Sequence, residues 1–340
     1  MTRHVILAYG RETEHRRAAF AILSFWAWYN GSKDDVRTVV FTDNPALFEA
    51  PLSGLPVDYV VLDPARLVEL RGPQQNVHRV KVAVISQVFE QHPGTRVLFT
   101  DSDTFFVAEA QDMLARVCNG TSLMHEREYR LAEAVGIHAA FNQAKYPRRL
   151  LDFIKDRAFP LGTTRHRFHA GHFSWNSGVL GLPPELSALM PDIMALTDAL
   201  YAGTGWFTSE QLAFSLALQC KTQVESSSYC ILHYWGQRQK KLMDGYLLAL
   251  FSDAFNAQAL FERQIQVRQL ATKWCRLVEL DRNREGALYA FAQGNTLAGV
   301  KCALKAFVAA PLNTAFPRDL VDILKQRTRK RAPQRPPLHV

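Results

Sequence analysis

The sequence predicts an α/β fold built on a Rossmann-like sheet, with a helical extension at its carboxyl end. Three observations predict it. Short apolar runs alternate with helical periodicity through the first hundred residues, each strand-like run ends in a polar turn, and strand signals cease near residue 246 while helical periodicity continues. A chain of 340 residues with 48% hydrophobic and 21% charged positions has enough apolar surface for a substantial core, which excludes fibrous and wholly disordered classes.

Taken in order, His4 to Tyr9 reads as a strand, Thr13 to Asn30 as a helix closed by Gly31, and Val36 to Phe41 as a strand ending in Thr42-Asp43-Asn44-Pro45. Asp58 to Leu62 is a third strand. Val77 to Gln91 carries apolar residues at Val77, Val80, Val84 and Val88 and is a helix stopped by Pro93-Gly94. Arg96 to Thr100 is a fourth strand, running into Asp101-Ser102-Asp103. Residues 125 to 170 break into short pieces rich in Arg and His, without a clear period. Val179 to Leu182 is a strand stopped by Pro183-Pro184, followed by helices over Leu186 to Tyr201 and Ser209 to Cys220, and an apolar strand from Tyr229 to Leu232 delivers His233. Ala259 to Leu280 and Leu297 to Val308 are helical. The division expected is 1–245 for the catalytic domain, 246–324 for a helical appendage and 325–340 for a basic, disordered tail.

The net charge of +8 invites a nucleic-acid partner, but its location argues otherwise. Lys325, Arg327, Arg329, Lys330, Arg331 and Arg335 account for most of it, without an acid among residues 325 to 340 and without interleaved aromatics. No nucleic-acid role is expected. The tail is either a solvated end or a peripheral contact with anionic lipid headgroups. Five widely spaced cysteines without a C-x-x-C pair suit a reducing compartment, hence a cytoplasmic location, and neither a disulfide framework nor a zinc site. The apolar run from Ala18 to Tyr29 is too short to span a bilayer, and a strand precedes it.

In open α/β sheets ligands collect at the carboxyl ends of strands, which directs attention to Tyr9-Gly10, Thr42-Asp43, Asp101-x-Asp103 and His233. Two carboxylates two residues apart at a strand end can converge on one hard cation with Ser102 turned away, leaving coordination positions for substrate oxygens, as suits Mg²⁺ or Mn²⁺ with a diphosphate. The alternative is that one Asp caps the following turn and the other is solvated. Tyr9 can stack on a base and Asp43 can accept a proton from one, or Gly10 and Asp43 can serve the turns alone.

The runs VLFTDSDTFFV, WNSGVLGL, SEQLAFSLAL and LHYWG, in this order and spacing, resemble the GT-A-fold glycosyltransferases that use nucleotide-diphosphate sugars, and most closely the family 8 group of glycogenin and bacterial lipopolysaccharide galactosyltransferases. The resemblance covers about residues 3 to 245 and implies a mixed sheet, where the alternation of strands and helices alone reads as a parallel one. It implies that Asp101, Asp103 and His233 hold the metal, Mn²⁺ or Mg²⁺, and that Asp101 and its neighbours, Ser102 included, meet the donor ribose. It implies that Gly236 lets the backbone approach the diphosphate. Lys81, with Arg79 near it, would contact phosphate or sugar. Asn176 and the pair Glu210-Gln211 would hold the donor sugar and flank its anomeric carbon, with Glu210 where the group more often has Asp. The diphosphate-binding Lys of the group falls on Gln239 here, flanked by Arg238 and Lys240.

The implied reaction moves a hexose from a UDP-sugar donor to a hydroxyl of a glycan or glycolipid acceptor, with configuration retained. Three alternatives remain: a haloacid-dehalogenase-like phosphatase using Asp101 and Asp103, a nucleotidyltransferase of the same fold, and a catalytically dead glycan-binding protein. Against the first, Phe105 stands where Thr or Val is expected and a hundred residues precede the motif; against the second, the Gly-rich loop is missing.

Overall fold

The computed structural model describes residues 1–139, 143–293, 295–310 and 316–321. The amino-terminal part runs β1 (Thr2–Ala8), α1 (Glu12–Trp28), β2 (Val36–Thr42), α2 (Ala46–Glu49), β3 (Val57–Val61), α3 (Pro64–Arg71), α4 (Arg79–Gln91), β4 (Arg96–Thr100) and β5 (Thr104–Phe106). Next come α5 (Ala110–Ala115) and β6 (Thr121–Met124); the Arg- and His-rich stretch from 125 to 170 resolves into β7 (Arg127–Arg130), α6 (Leu131–Ala139), α7 (Lys145–Lys155), β8 (Ala158–Leu161) and β9 (Thr164–Arg167), and β10 (Phe173–Trp175) follows it. After it come β11 (Val179–Leu182), a 3-10 turn at Pro184–Leu189, α8 (Met190–Thr204), α9 (Ser209–Lys221), β12 (Gln223–Ser226), β13 (Ile231–His233), α10 (Gln237–Leu250), α11 (Asp253–Asn256), α12 (Leu260–Gln293) and α13 (Thr296–Ala309).

Seven strands form the central sheet in the order β12-β6-β11-β4-β1-β2-β3. β1 is parallel to both β2 and β4, and β2 to β3, as apolar runs joined by helices require. β11 runs antiparallel to β4 and β6, so the sheet is mixed. Its core is continuous: Val5, Val39, Phe41, Val97, Phe99 and Leu180 are buried together with the inner faces of α4, α8 and α9.

This order places the site. From β1 the chain winds one way through β2 and β3, then returns to set β4 on the other flank of β1. The carboxyl ends of β1 and β4 therefore meet at a topological switch point, where the two crossovers diverge and leave a crevice. Because β11 is antiparallel to β4, with Val179 opposite Thr100, the residues just before β11 lie beside those just after β4. The Asp101 N–H donates to the Gly178 carbonyl at 2.8 Å across that junction.

β13 lies outside the main sheet. It pairs antiparallel with β5, with His233 opposite Thr104, and this short ribbon carries His233 back to the Asp-x-Asp turn.

The chain divides into two compact units, Met1–Ala271 and Thr272–Val340. The first runs past residue 245 for a physical reason: the buried Arg263 guanidinium binds the carbonyls of Ala50, Pro51 and Ser53 at 3.2, 2.6 and 2.7 Å. The second has its own small core of Ala287, Phe291, Ala303, Ala306, Phe316 and Leu320. The basic tail lies outside the described residues. Among the described residues, no helix is long and apolar enough to cross a membrane. All five cysteines are free thiols.

Candidate active site

Asp101, Asp103 and His233 each bring one ligand atom to a common point, with all three atoms within 4.8 Å of one another. His233 Nε2 lies 3.2 Å from Asp103 Oδ1 and 4.0 Å from Asp101 Oδ2. The other ring nitrogen defines the tautomer. Nδ1 is 2.8 Å from Asn176 Oδ1, an atom that also accepts the Gly178 N–H at 2.9 Å. The backbone N–H can only donate, so the oxygen of the Asn176 amide faces both groups, and Nδ1 must carry the proton. Nε2 faces two carboxylates: it donates to Asp103 when the ring is protonated, and without that proton it offers a lone pair that, with the two acids, could hold a cation. Two carboxylate oxygens and one imidazole nitrogen are a donor set that could hold a divalent cation.

Gly178 is what allows the ring so close. A Cβ there would sit 2.3 Å from His233 ring atoms.

Two lysines complete the cluster. Lys81, buried on α4, reaches Asp101 at 3.0 Å, the Ser177 carbonyl at 3.1 Å and Glu210 at 3.5 Å. Burial alone would lower its pKa, but Asp101 and Glu210 outweigh that and raise it. Lys240, on the first turn of α10, is 2.7 Å from Asp103. Burial would raise the Asp103 pKa, but His233 and Lys240 prevail and hold it far below the usual carboxylate range. Two carboxylates thus face two ammonium groups, so a bound divalent cation would leave the site positive toward a diphosphate. Gly236 occupies the N-cap of α10 beside this cluster.

A cleft of about 240 Å³ opens over these groups, lined among others by Tyr9, Val77, His78, Lys81, Asp101 and Lys240. Tyr9 also packs under the Arg71 guanidinium, 5.8 Å from its ring centre. Ser102 lines the same cleft while its hydroxyl donates to Glu14 at 2.8 Å.

The remaining predicted residues divide into those brought to the cluster and those held apart. Asn176 and Gln211 meet on Glu128: the Asn176 amide donates at 3.3 Å and the Gln211 amide at 3.0 Å. Glu210 is 2% exposed, accepts from the Ser177 hydroxyl at 3.2 Å, and has its second oxygen buried without a hydrogen-bond partner.

Arg79 is not brought to the cluster, because its guanidinium is tied to Asp198 at 2.8 Å and to the Leu70 carbonyl at 2.8 Å. Nor are Thr42 and Asp43. Asp43 accepts the Gly10 N–H at 2.9 Å and contacts His15 Nε2 at 2.8 Å, which braces the positive-φ turn at Gly10. Thr42 accepts the Asn44 N–H at 3.2 Å. Gly10 and Arg238 lie outside the cleft lining, and Arg238 is exposed.

Sequence reasoning missed Glu128, Ser177, Val77 and His78 as site residues. Although Glu128 is exposed by area, burial of its carboxyl tip raises its pKa above the usual glutamate range, against the hydrogen bonds from Ser174 and Asn176, which lower it. The signal that could have found it is an acid on a strand-like run, Arg127 to Arg130, a short distance after the metal motif.

No family model matches the chain, and no curated protein matches it. The chain is similar in fold to solved glycosyltransferase structures. Mouse xyloside xylosyltransferase 1 is 13% identical over 66% of this chain and 85% of its own, with a TM-score of 0.43. The galactosyltransferase LgtC, solved with donor and acceptor sugar analogues, is 11% identical over 79% of this chain and 95% of its own, with a TM-score of 0.46. The bifunctional glycosyltransferase WbbM is 11% identical over 66% of this chain and 38% of its own, with a TM-score of 0.43.

Proposed function

We propose that the chain is a glycosyltransferase that uses a divalent cation, Mn²⁺ or Mg²⁺, to move a hexose from a UDP-sugar to a hydroxyl of a glycan or glycolipid. The observation that carries this reading is the convergence of Asp101, Asp103 and His233 between Lys81 and Lys240 at the sheet's switch point. In the transfer the acceptor oxygen bonds to the anomeric carbon, the bond from that carbon to the diphosphate breaks, and its electron pair leaves with UDP. The acceptor's hydroxyl proton passes to the departing phosphate oxygen.

The leaving group gains negative charge, which preorganised cations stabilise more in the transition state than in the ground state. When bound, the metal supplies Lewis acidity at the diphosphate. Lys240 and Lys81 flank that charge, and the N-terminus of α10 behind Gly236 presents backbone N–H groups to it. Tyr9, Val77 and His78 form the wall for the nucleoside. Asn176 and Gln211, held by Glu128, face the sugar. Glu210 is buried and engaged by Ser177 and Lys81, which suits positioning of those groups better than a covalent intermediate.

A screen of nucleotide sugars with and without Mn²⁺ tests the activity. Release of UDP from one donor, dependent on the metal, is the expected outcome, and no metal-dependent release from any donor would remove the reading. The basic tail is proposed to touch anionic lipid at the inner face of the membrane. Truncation after Leu324 tests this, since unaltered sedimentation with anionic liposomes would exclude it.

A further inference from the structure

β7 and β10 form a two-stranded antiparallel ribbon in which Phe173 lies opposite Arg130 and Trp175 opposite Arg127, with an irregular register between Ser174 and Trp175. Two cations come to rest on one ring. The Arg127 guanidinium is 4.6 Å from the Phe173 ring centre and that of Arg130 is 5.1 Å from it. Both arginines are exposed. Among the described residues neither guanidinium has a carboxylate partner. Of the nearby acids, Glu133 accepts the backbone N–H of Arg130 at 3.0 Å, Glu128 is bound by Ser174, Asn176 and Gln211, and Glu126 lies 4.0 Å from His125 Nδ1.

A guanidinium stacked on a ring uses its face, while its N–H donors lie in its plane and stay available to an anion. The phenyl ring restrains both side chains without cancelling their charge, so each keeps in-plane donors for an oxyanion. The pair also brackets Glu128 in sequence, one residue before and two after it. Through Asn176, that carboxylate is joined to the His233 ring. A restrained pair of cations therefore sits on the strand that carries Glu128, which Asn176 links to His233.

We infer that Arg127 and Arg130 bind an anionic group, a phosphate monoester or a carboxylate, carried by the acceptor. The inference rests on the glycosyltransferase reading and adds the acceptor's chemical class to it. It makes the donor's own phosphates and the acceptor's anion the business of two separate sets of cations, Lys81 and Lys240 on one hand, Arg127 and Arg130 on the other.

The test is calorimetry on the full chain at low salt. UDP is titrated first in the presence of Mn²⁺, and absence of UDP binding overturns the glycosyltransferase reading itself. With Mn²⁺ and UDP saturating, glucose 6-phosphate, glucuronate and glucose are then titrated separately. At least one of the two anionic sugars is expected to bind while glucose does not, and which one binds distinguishes phosphate from carboxylate. The double variant R127Q/R130Q is expected to weaken that binding at least tenfold with UDP affinity unchanged. Should the double variant lose UDP binding, the single variants R127Q and R130Q are read in the same way, each with a several-fold loss. Anionic sugars that bind no better than glucose, or that bind the variants as well as the wild type, overturn the inference.

Discussion

Asn176 is a small residue with a large share of the site's organisation. Its oxygen takes both the Gly178 N–H and the His233 Nδ1 proton, so one amide sets the tautomer and the angle of the imidazole. Outer partners of metal-binding histidines typically contribute about 10- to 100-fold to metal affinity, so Asn176→Ala is expected to weaken Mn²⁺ binding by that factor in calorimetry. An unchanged affinity would contradict the role given to the amide. Gly178→Ala acts on the same ring by contact, since a Cβ would fall 2.3 Å from it. Its expected outcome is at least a tenfold loss of Mn²⁺-dependent UDP affinity with retained helical circular dichroism. At this scale Asp101, Asp103 and His233 were legible, because acids and a histidine directly after apolar strands have few structural reasons to be there. Glu128 was not, because Arg-Glu-Tyr-Arg carries no apolar period that marks an element, and its partners Ser174, Asn176 and Gln211 are distant in sequence.

The elements that hold the site are β4, β11, the β5/β13 ribbon and α10. Lys240 depends on α10, and α10 is fastened to α1 by Arg17. That guanidinium, 7% exposed, makes two bonds of 2.7 Å to Asp244 and one of 2.6 Å to Glu14, while Glu14 in turn accepts from Ser102. Removing one member of such a buried set leaves charges uncompensated, so Arg17→Met is expected to destabilise the fold by about 3 kcal/mol in denaturant unfolding. A change under about 0.5 kcal/mol, the scale of an ordinary surface substitution, would show that the set is dispensable.

The long periodic elements, α1, α4 and α9, and the first four strands were readable from apolar spacing and their Gly or Pro stops. β5 was not, since Thr104 to Phe106 follows Asp103 without a turn residue and looks like a continuation of the loop. The β8/β9 hairpin and β7 escaped because their runs are four residues long, β7 and β9 being rich in Arg and His and β8 carrying Pro160. Their strand character comes from pairing, not from periodicity.

For the molecule as a whole, the sheet's interior carries a titratable group that links stability to pH. His4 on β1 is 0% exposed; its Nε2 lies 3.0 Å from Thr100 Oγ1, and its Nδ1 is buried without a hydrogen-bond partner. Desolvation lowers its pKa to about 3. Between that value and the unfolded value near 6.5 the unfolded chain binds the proton and the folded chain does not. Stability is therefore full above pH 6.5 and falls on acidification, at up to about 1.4 kcal/mol per pH unit from this group. His4→Phe is expected to flatten the slope of unfolding free energy between pH 6.5 and 4, and an unchanged slope would contradict the assignment.

The overall class was readable from the sequence, as was the place of Asp101 and Asp103 at the end of the fourth strand. The mixed character of the sheet came from the resemblance and not from apolar periodicity, which does not encode the reversal of β11. The tail from 325 onward lies outside the described residues, and its proposed lipid contact rests on charge alone.

The central claim is that Asp101, Asp103 and His233 share one divalent cation that carries the donor's diphosphate. Calorimetric titration of UDP into wild-type protein and Asp103→Ala, each with Mn²⁺ and with chelator, tests it most directly. Binding by the wild type only with Mn²⁺, and none by Asp103→Ala under either condition, is the predicted result. Equal UDP affinity in the two proteins, or binding that is indifferent to chelator, would contradict it.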